Sequence, residues 1–230
     1  MNKGEDSLKN EQIIFMHIPK TAGGTLRTII EKNYPKDQII RTYTNEQVNI
    51  FKTLPENEKN KLKFIIGHNY FGLHQFLNGP YSYITMLRDP VDRVISLYYF
   101  VLREKGTPMY EKYYNRGIEY FLEKEPQTIN WQTRFAAGGT LDLNMAKDHL
   151  KNHFSVVGIS ERFEESLSIL ERVCNMKSLN YKNINVTPNR PKKEELSPEI
   201  IQRIEKNVNL DIELYDYAIK LFEEKLSQLS

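Results

Sequence analysis

Phe15-Met16-His17-Ile18-Pro19-Lys20-Thr21-Ala22-Gly23-Gly24-Thr25 breaks an apolar run into a glycine-rich turn carrying one lysine and two threonines. Upstream, Ile13 to Met16 reads as a short buried strand; downstream, Leu26, Ile29 and Ile30 begin a 3.6-residue apolar period. The stretch therefore predicts strand, loop and helix in succession. That order makes an anion cradle, because glycine lets a ligand approach the backbone and the first N–H groups of a helix attract negative oxygens. The usual nucleoside-triphosphate loop, Gly-x-x-x-x-Gly-Lys-Ser/Thr, is not matched. With Thr25 at the terminal hydroxyl, Gly24 stands where the lysine belongs and Ile18 where the first glycine belongs. Lys20 sits four residues too early and would meet a different part of the ligand.

A second segment repeats the pattern. Tyr83-Ile84-Thr85-Met86-Leu87 reads as a buried strand, and Arg88-Asp89-Pro90-Val91-Asp92-Arg93-Val94-Ile95-Ser96-Leu97-Tyr98-Tyr99 follows it. Asp89 suits a helix N-cap and Pro90 the first helical position. Asp89, Arg93 and Ser96 then share one face, with Val94, Ile95, Tyr98, Val101 and Leu102 on the packed side. Arg88 at the strand end and Ser96 on the helix are candidates for one anion, since a guanidinium fork and a hydroxyl suit a phosphate. On the residues alone, a tight turn around Lys20 and an Arg88 paired with Asp89 or Asp92 remain open.

Strand patterns at 38–43, 63–67, 82–87 and 154–158 alternate with helical ones, which predicts an α/β fold with a central parallel sheet flanked by helices. Residues 1–11 read as a flexible polar tail and 12–230 as a single domain, closed by two amphipathic helices built on Ile200, Ile201, Ile204 and Val208, then Leu214, Ala218 and Phe222. The net charge of +2 gives no reason to expect nucleic-acid binding. Cys174 is the single cysteine, which excludes an internal disulfide. No apolar run approaches a membrane span and the start is polar, so a cytoplasmic location is the expectation. The oligomeric state stays open. His149 and His153, four apart on a predicted helix, read as a solvated face rather than a metal pair.

The Pro19–Thr25 and Leu87–Tyr99 segments together resemble the two signatures of sulfotransferases that use 3′-phosphoadenosine-5′-phosphosulfate (PAPS). The branch they resemble is the carbohydrate enzymes related to heparan sulfate 2-O- and 6-O-sulfotransferases. Gly67-His68-Asn69-Tyr70-Phe71-Gly72, Asn130-Trp131-Gln132-Thr133-Arg134 and Val156-Val157-Gly158-Ile159-Ser160-Glu161-Arg162-Phe163 add to the likeness, in family order. The resemblance implies a P-loop-like three-layer fold and sulfation of a hydroxyl on a carbohydrate or glycan acceptor. Lys20, Thr21, Ala22, Gly23, Gly24 and Thr25 would hold the 5′-phosphosulfate, and Lys20 would neutralise the leaving bridging oxygen. Arg88 and Ser96, with Arg190 from a late proline-rich loop, would bind the 3′-phosphate, and no metal would be required. His68, at the end of the apolar run Phe64-Ile65-Ile66, is the candidate base, since imidazole titrates near neutrality. His74 is its rival or an acceptor contact, and Gln132 and Arg134 are acceptor candidates. A small-molecule kinase with Asp89 on magnesium, and a non-catalytic nucleotide- or glycan-binding module, are the competing classes.

Overall fold

The computed structural model of the chain describes residues 8, 10–176, 191 and 193–229. Strands β1 (Gln12–Met16), β2 (Ile39–Arg41), β3 (Phe64–Gly67), β4 (Tyr81–Leu87) and β5 (Phe154–Ile159) form one sheet in the order β2-β3-β1-β4-β5. Every neighbouring pair is parallel. β1 and β3 are buried along their whole length, as strands covered on both faces must be, and their continuous Ile and Phe content reflects that. The expected α/β fold, a parallel sheet flanked by helices, is the one observed.

The chain leaves β1 through α1 (Gly23–Asn33) to reach β2, then passes α2 (Asn45–Thr53) and α3 (Glu56–Lys59) into β3. After β4 come α4 (Pro90–Arg103), α5 (Pro108–Tyr113), α6 (Gly117–Lys124), α7 (Trp131–Ala136) and α8 (Leu143–His153), which lead into β5. α9 (Phe163–Cys174), α10 (Pro198–Asn207) and α11 (Asn209–Leu229) close the chain. β1 is followed by strands on one side of it and then by β4 and β5 on the other, so the carboxyl ends of β1 and β4 flank the reversal point where open α/β sheets bind ligands. Met16 is in register with both Gly67 and Thr85, and the loops after β1, β3 and β4 therefore leave the sheet side by side.

Two apolar cores hold this frame. Ile14, Phe15, Leu26, Ile30, Ile65 and Phe222 belong to the larger one around the sheet. A second joins Val94, Ile95 and Val101 of α4 to Phe121 of α6 and Ile204 of α10. Asp89 caps α4 as expected, its carboxylate accepting the Asp92 N–H at 2.8 Å, with Pro90 opening the helix.

Three expectations change. Leu8, placed by sequence in the polar tail, is buried in the larger core. Arg93, read from its spacing as sharing a face with Asp89 and Ser96 away from the packed side, is fully buried. Its guanidinium donates to the Gln127 carbonyl, leaving Nε and Nη1 without hydrogen bonds. The buried Asp211 carboxylate supplies its main opposing charge, and burial lowers the Arg93 pKa to about 10. His149 and His153 are not a solvated face either. His149 stacks on Phe71 at 3.8 Å and donates from Nδ1 to the Ala136 carbonyl, while the His153 ring lies parallel to that of Tyr81.

α7 and α11 cap each other. The Asn130 side-chain oxygen accepts the Leu210 and Asp211 N–H groups at 2.9 and 3.1 Å, and the Asp211 carboxylate accepts those of Gln132 and Thr133 at 3.1 and 2.7 Å. Helix-start donors buried at this contact thus find partners across it.

Candidate functional site

The loop between β1 and α1 turns in an unexpected way. Lys20 and Ala22, not the glycines, take left-handed backbone angles, with φ of 72° and 63°. Such angles cost a side-chain-bearing residue free energy and persist where the surroundings enforce them. Here the Thr21 side chain, fully buried, donates to the Ile18 carbonyl at 2.9 Å and braces the turn, so Thr21 shapes the loop from inside. Gly23 is already helical, and its missing side chain serves packing: a Cβ there would fall 2.1 Å from Cδ2 of His17. His17 lies beneath the loop, stacked on Phe15 and hydrogen-bonded from Nδ1 to the Tyr43 hydroxyl at 2.8 Å. Gly24 and Thr25 continue the first turn of α1, whose leading N–H groups face the ligand side of the sheet end. The Lys20 ammonium rests 3.8 Å from the centre of the Phe100 ring.

Arg88, the first residue beyond β4, reaches this loop directly: Nη1 donates to the Lys20 carbonyl at 3.3 Å. Nη2 pairs with Asp92 at 3.2 Å, and Nε stands 3.8 Å from Glu161, buried and without a hydrogen bond. A partly exposed arginine held between Asp92 and Glu161, one lysine and a helix start line the cleft beyond the strand ends, donors of the kind that phosphoryl or sulfuryl oxygens accept. Ser96 is nearly buried, two helical turns along α4. Asp89, the residue that a magnesium-dependent kinase would need free, is spent on capping α4.

His68 follows β3 and stands beside His17, ring centres 4.5 Å apart. Its Nδ1 lies 2.6 Å from the His17 main-chain oxygen, which can only accept, so Nδ1 carries the proton and the neutral ring offers its lone pair at Nε2. The residue keeps an exposed edge although its ring is crowded by His17 and Tyr43. That crowding lowers its pKa; the nearby Arg27 charge adds to the shift and the bond to His17 opposes it. Arg27, on α1, was missed from sequence because only the apolar stripe of that helix was read.

The acceptor candidates separate. The His68 segment docks on α7, where the Phe71 N–H donates to the Phe135 carbonyl at 2.9 Å and Tyr70 meets Trp131 and Phe135 edge-on. Arg134 borders that contact, with Nη1 on the Gly139 carbonyl at 3.3 Å and Nε without a hydrogen bond. Gln132 does not face an acceptor. It is fully buried, and its amide accepts the Arg88 N–H at 3.0 Å while donating to the Arg88 carbonyl at 2.9 Å. His74 stands away from the cleft as well: it bonds Tyr83 and stacks on Tyr81 at the amino end of β4. Arg88 is five residues beyond Tyr83, about 16 Å along a strand. Arg190 lies outside the described residues. Cys174 is buried and its thiol pushed up to about 12, which leaves it inert as a nucleophile. Among the described residues no group of three or more His, Cys, Asp or Glu is arranged to hold a metal ion, and no helix is long and apolar enough to cross a membrane.

A parallel α/β sheet with a lysine-bearing loop, an arginine and a histidine gathered at its reversal point defines an α/β protein with its candidate ligand site at the strand ends. More specifically, the sulfotransferase family matches residues 7–218, and the chain belongs to that family. Among similar proteins, human uronyl 2-sulfotransferase is 25% identical over 215 residues, covering 79% of this chain and 52% of that protein. Human heparan sulfate 2-O-sulfotransferase 1 is 24% identical over 197 residues, covering 72% and 55%. The Drosophila melanogaster heparin sulfate O-sulfotransferase is 27% identical over 179 residues, covering 66% and 51%. The chain thus spans about half the length of these relatives. A crystal structure of a mouse sulfotransferase complexed with PAP aligns with 89% of this chain and 65% of its own, at 15% identity and a TM-score of 0.45.

Proposed function

We propose that the protein transfers a sulfuryl group from PAPS to a hydroxyl of a carbohydrate, and that the acceptor sugar carries a carboxylate. Family membership supports the reaction class, and the names of the uronyl and heparan sulfate relatives motivate the acceptor. The observation that carries the reading is the joining of Lys20 and Arg88 in one cleft, their segments linked by the 3.3 Å contact from the Arg88 guanidinium to the Lys20 carbonyl. The two ends of the donor nucleotide differ in charge placement: a 5′-phosphosulfate suits the loop and start of α1, and a 3′-phosphate suits Arg88 with Ser96.

In this reading His68 Nε2 accepts the acceptor hydroxyl proton as its oxygen forms a bond to sulfur. The bond from sulfur to the bridging phosphate oxygen breaks, and Lys20 stabilises the charge gathering on that oxygen. Adenosine 3′,5′-bisphosphate leaves as the second product. Lys20 swings from the Phe100 ring to do this and gives up its cation–π contact there. Arg134, beside the His68 segment, supplies the positive charge for the acceptor carboxylate. The test is transfer of labelled sulfate from PAPS to desulfated uronic-acid polysaccharides, with a neutral glucan beside them. Labelled uronic acid supports the reading. Labelling of the neutral glucan alone overturns the acceptor, and donor binding without transfer to any acceptor leaves a binding module.

A further inference from the structure

Arg88 sits just past the last residue of β4, where the ladder to β5 ends at the Leu87–Ile159 pair. Its main chain is nevertheless held like a strand residue. The Gln132 side chain accepts the Arg88 N–H and donates to the Arg88 carbonyl, so one amide stands in for a neighbouring peptide. Among uncharged side chains only a carboxamide carries a donor and an acceptor spaced for that double contact.

Gln132 is itself fixed from α11. Asp211 accepts its N–H at 3.1 Å, together with the N–H and hydroxyl of Thr133 at 2.7 and 2.8 Å. One turn along the same face of α11, the Tyr215 hydroxyl donates to Glu161 at 2.8 Å. The other Glu161 oxygen accepts the Asp89 N–H at 3.1 Å and stands 3.8 Å from Arg88 Nε. Two relays from one helix thus converge on one arginine, the first hydrogen-bonding its backbone and the second setting a carboxylate beside its guanidinium.

We infer that Gln132 and Tyr215 are positioning residues for donor selection: α11 orients Arg88 toward the 3′-phosphate through Asp211–Gln132 and through Tyr215–Glu161. This rests on the reading of Arg88 as the 3′-phosphate ligand. A merely structural contact between helices would affect every nucleotide alike. A positioning contact affects only ligands that carry the 3′-phosphate.

The test measures, by calorimetry, the affinities of adenosine 3′,5′-bisphosphate and 5′-AMP for the wild type, Gln132→Leu, Tyr215→Phe and the double variant, with melting temperature as a check on folding. The expected result is a loss of about fivefold or more in bisphosphate affinity in each single variant, the size of one or two hydrogen bonds. Affinity for 5′-AMP stays within about twofold. Tyr215→Phe removes one partly exposed hydroxyl, so the test stands even if Gln132→Leu does not fold. Equal losses for both nucleotides, or no loss for either, overturn the inference while leaving the donor reading intact. A wild type that binds both nucleotides equally overturns the donor reading, and this inference with it.

Discussion

His68 donates its Nδ1–H to the main-chain oxygen of His17, three residues before Lys20, at 2.6 Å. The bond ties the candidate base to the strand that launches the donor loop, and it fixes the imidazole in the tautomer whose Nε2 can take a proton. His68→Ala is therefore expected to lower kcat about 100-fold or more with bisphosphate affinity within about twofold. Crowding lowers the His68 pKa below its ordinary value, so kcat/KM of the wild type should hold through neutrality and fall only as pH drops below about 6.5. A rate that already falls above pH 8 on acidification, or an unchanged rate in His68→Ala, would remove His68 from the chemistry.

Lys20 is half-buried and in contact with Phe100, and in the proposed reaction it meets the bridging oxygen. Lys20→Ala should cost about 100-fold in kcat, and Lys20→Arg should recover little, because a planar guanidinium cannot replace a compact ammonium in a loop shaped by a left-handed residue. Single-turnover rates distinguish this from weakened binding. Full activity in Lys20→Arg would show that the position asks only for charge.

Gly23→Ala should destabilise the protein by about 1–3 kcal/mol, since the added methyl meets the His17 ring and that ring is held by Phe15 and Tyr43. Thermal denaturation measures the loss. An unchanged melting temperature would mean that His17 can move aside, and with it the support of the loop.

Arg93 and Asp211 are both fully buried and their charges oppose. Removing either alone strands a charge, and Arg93→Met should cost about 3–5 kcal/mol. Arg93→Met combined with Asp211→Asn should cost less than the two single changes added, by more than about 0.5 kcal/mol. Strict additivity in denaturant titrations would show that the two do not compensate each other.

Stability should fall on mild acidification. Burial lowers the pKa of His17 well below the ordinary value, and it lowers those of His68, His74 and His153 too, with neighbouring histidines or arginine adding to the shift. A depressed histidine pKa means that the unfolded chain binds the proton first. The stabilisation is whole above about pH 6.5 and is lost as pH falls through the folded values. The raised pKa of Asp211, pushed up by its burial, acts in the opposite sense. Melting temperatures at pH 7.5 and 5.5 test the sign, and a higher value at pH 5.5 would contradict it.

Much of the frame was legible because its signals are local. The apolar runs at Ile13–Met16 and Phe64–Ile66, the cap and proline at Asp89 and Pro90, and the periodic faces of α10 and α11 all specify their elements within a dozen residues. Lys20, Arg88 and His68 were legible for the same reason, each standing just beyond a strand. The buried polar contacts were not. Gln132 meets Arg88 across 44 residues and Asp211 meets α7 across 79, and no short-range pattern tells a buried amide from one exposed to an acceptor. The left-handed turn fell on Lys20 and Ala22 because Gly23 was needed for packing on His17, a contact that only the tertiary structure creates.

Calorimetric titration of adenosine 3′,5′-bisphosphate into the wild type and Arg88→Ala, with ATP and magnesium as the competing ligand, decides what the cleft was built to hold. The expected result is preference for the bisphosphate, weakened at least tenfold in Arg88→Ala, or about 1.4 kcal/mol. Preference for ATP with magnesium, or indifference to the loss of Arg88, would contradict it.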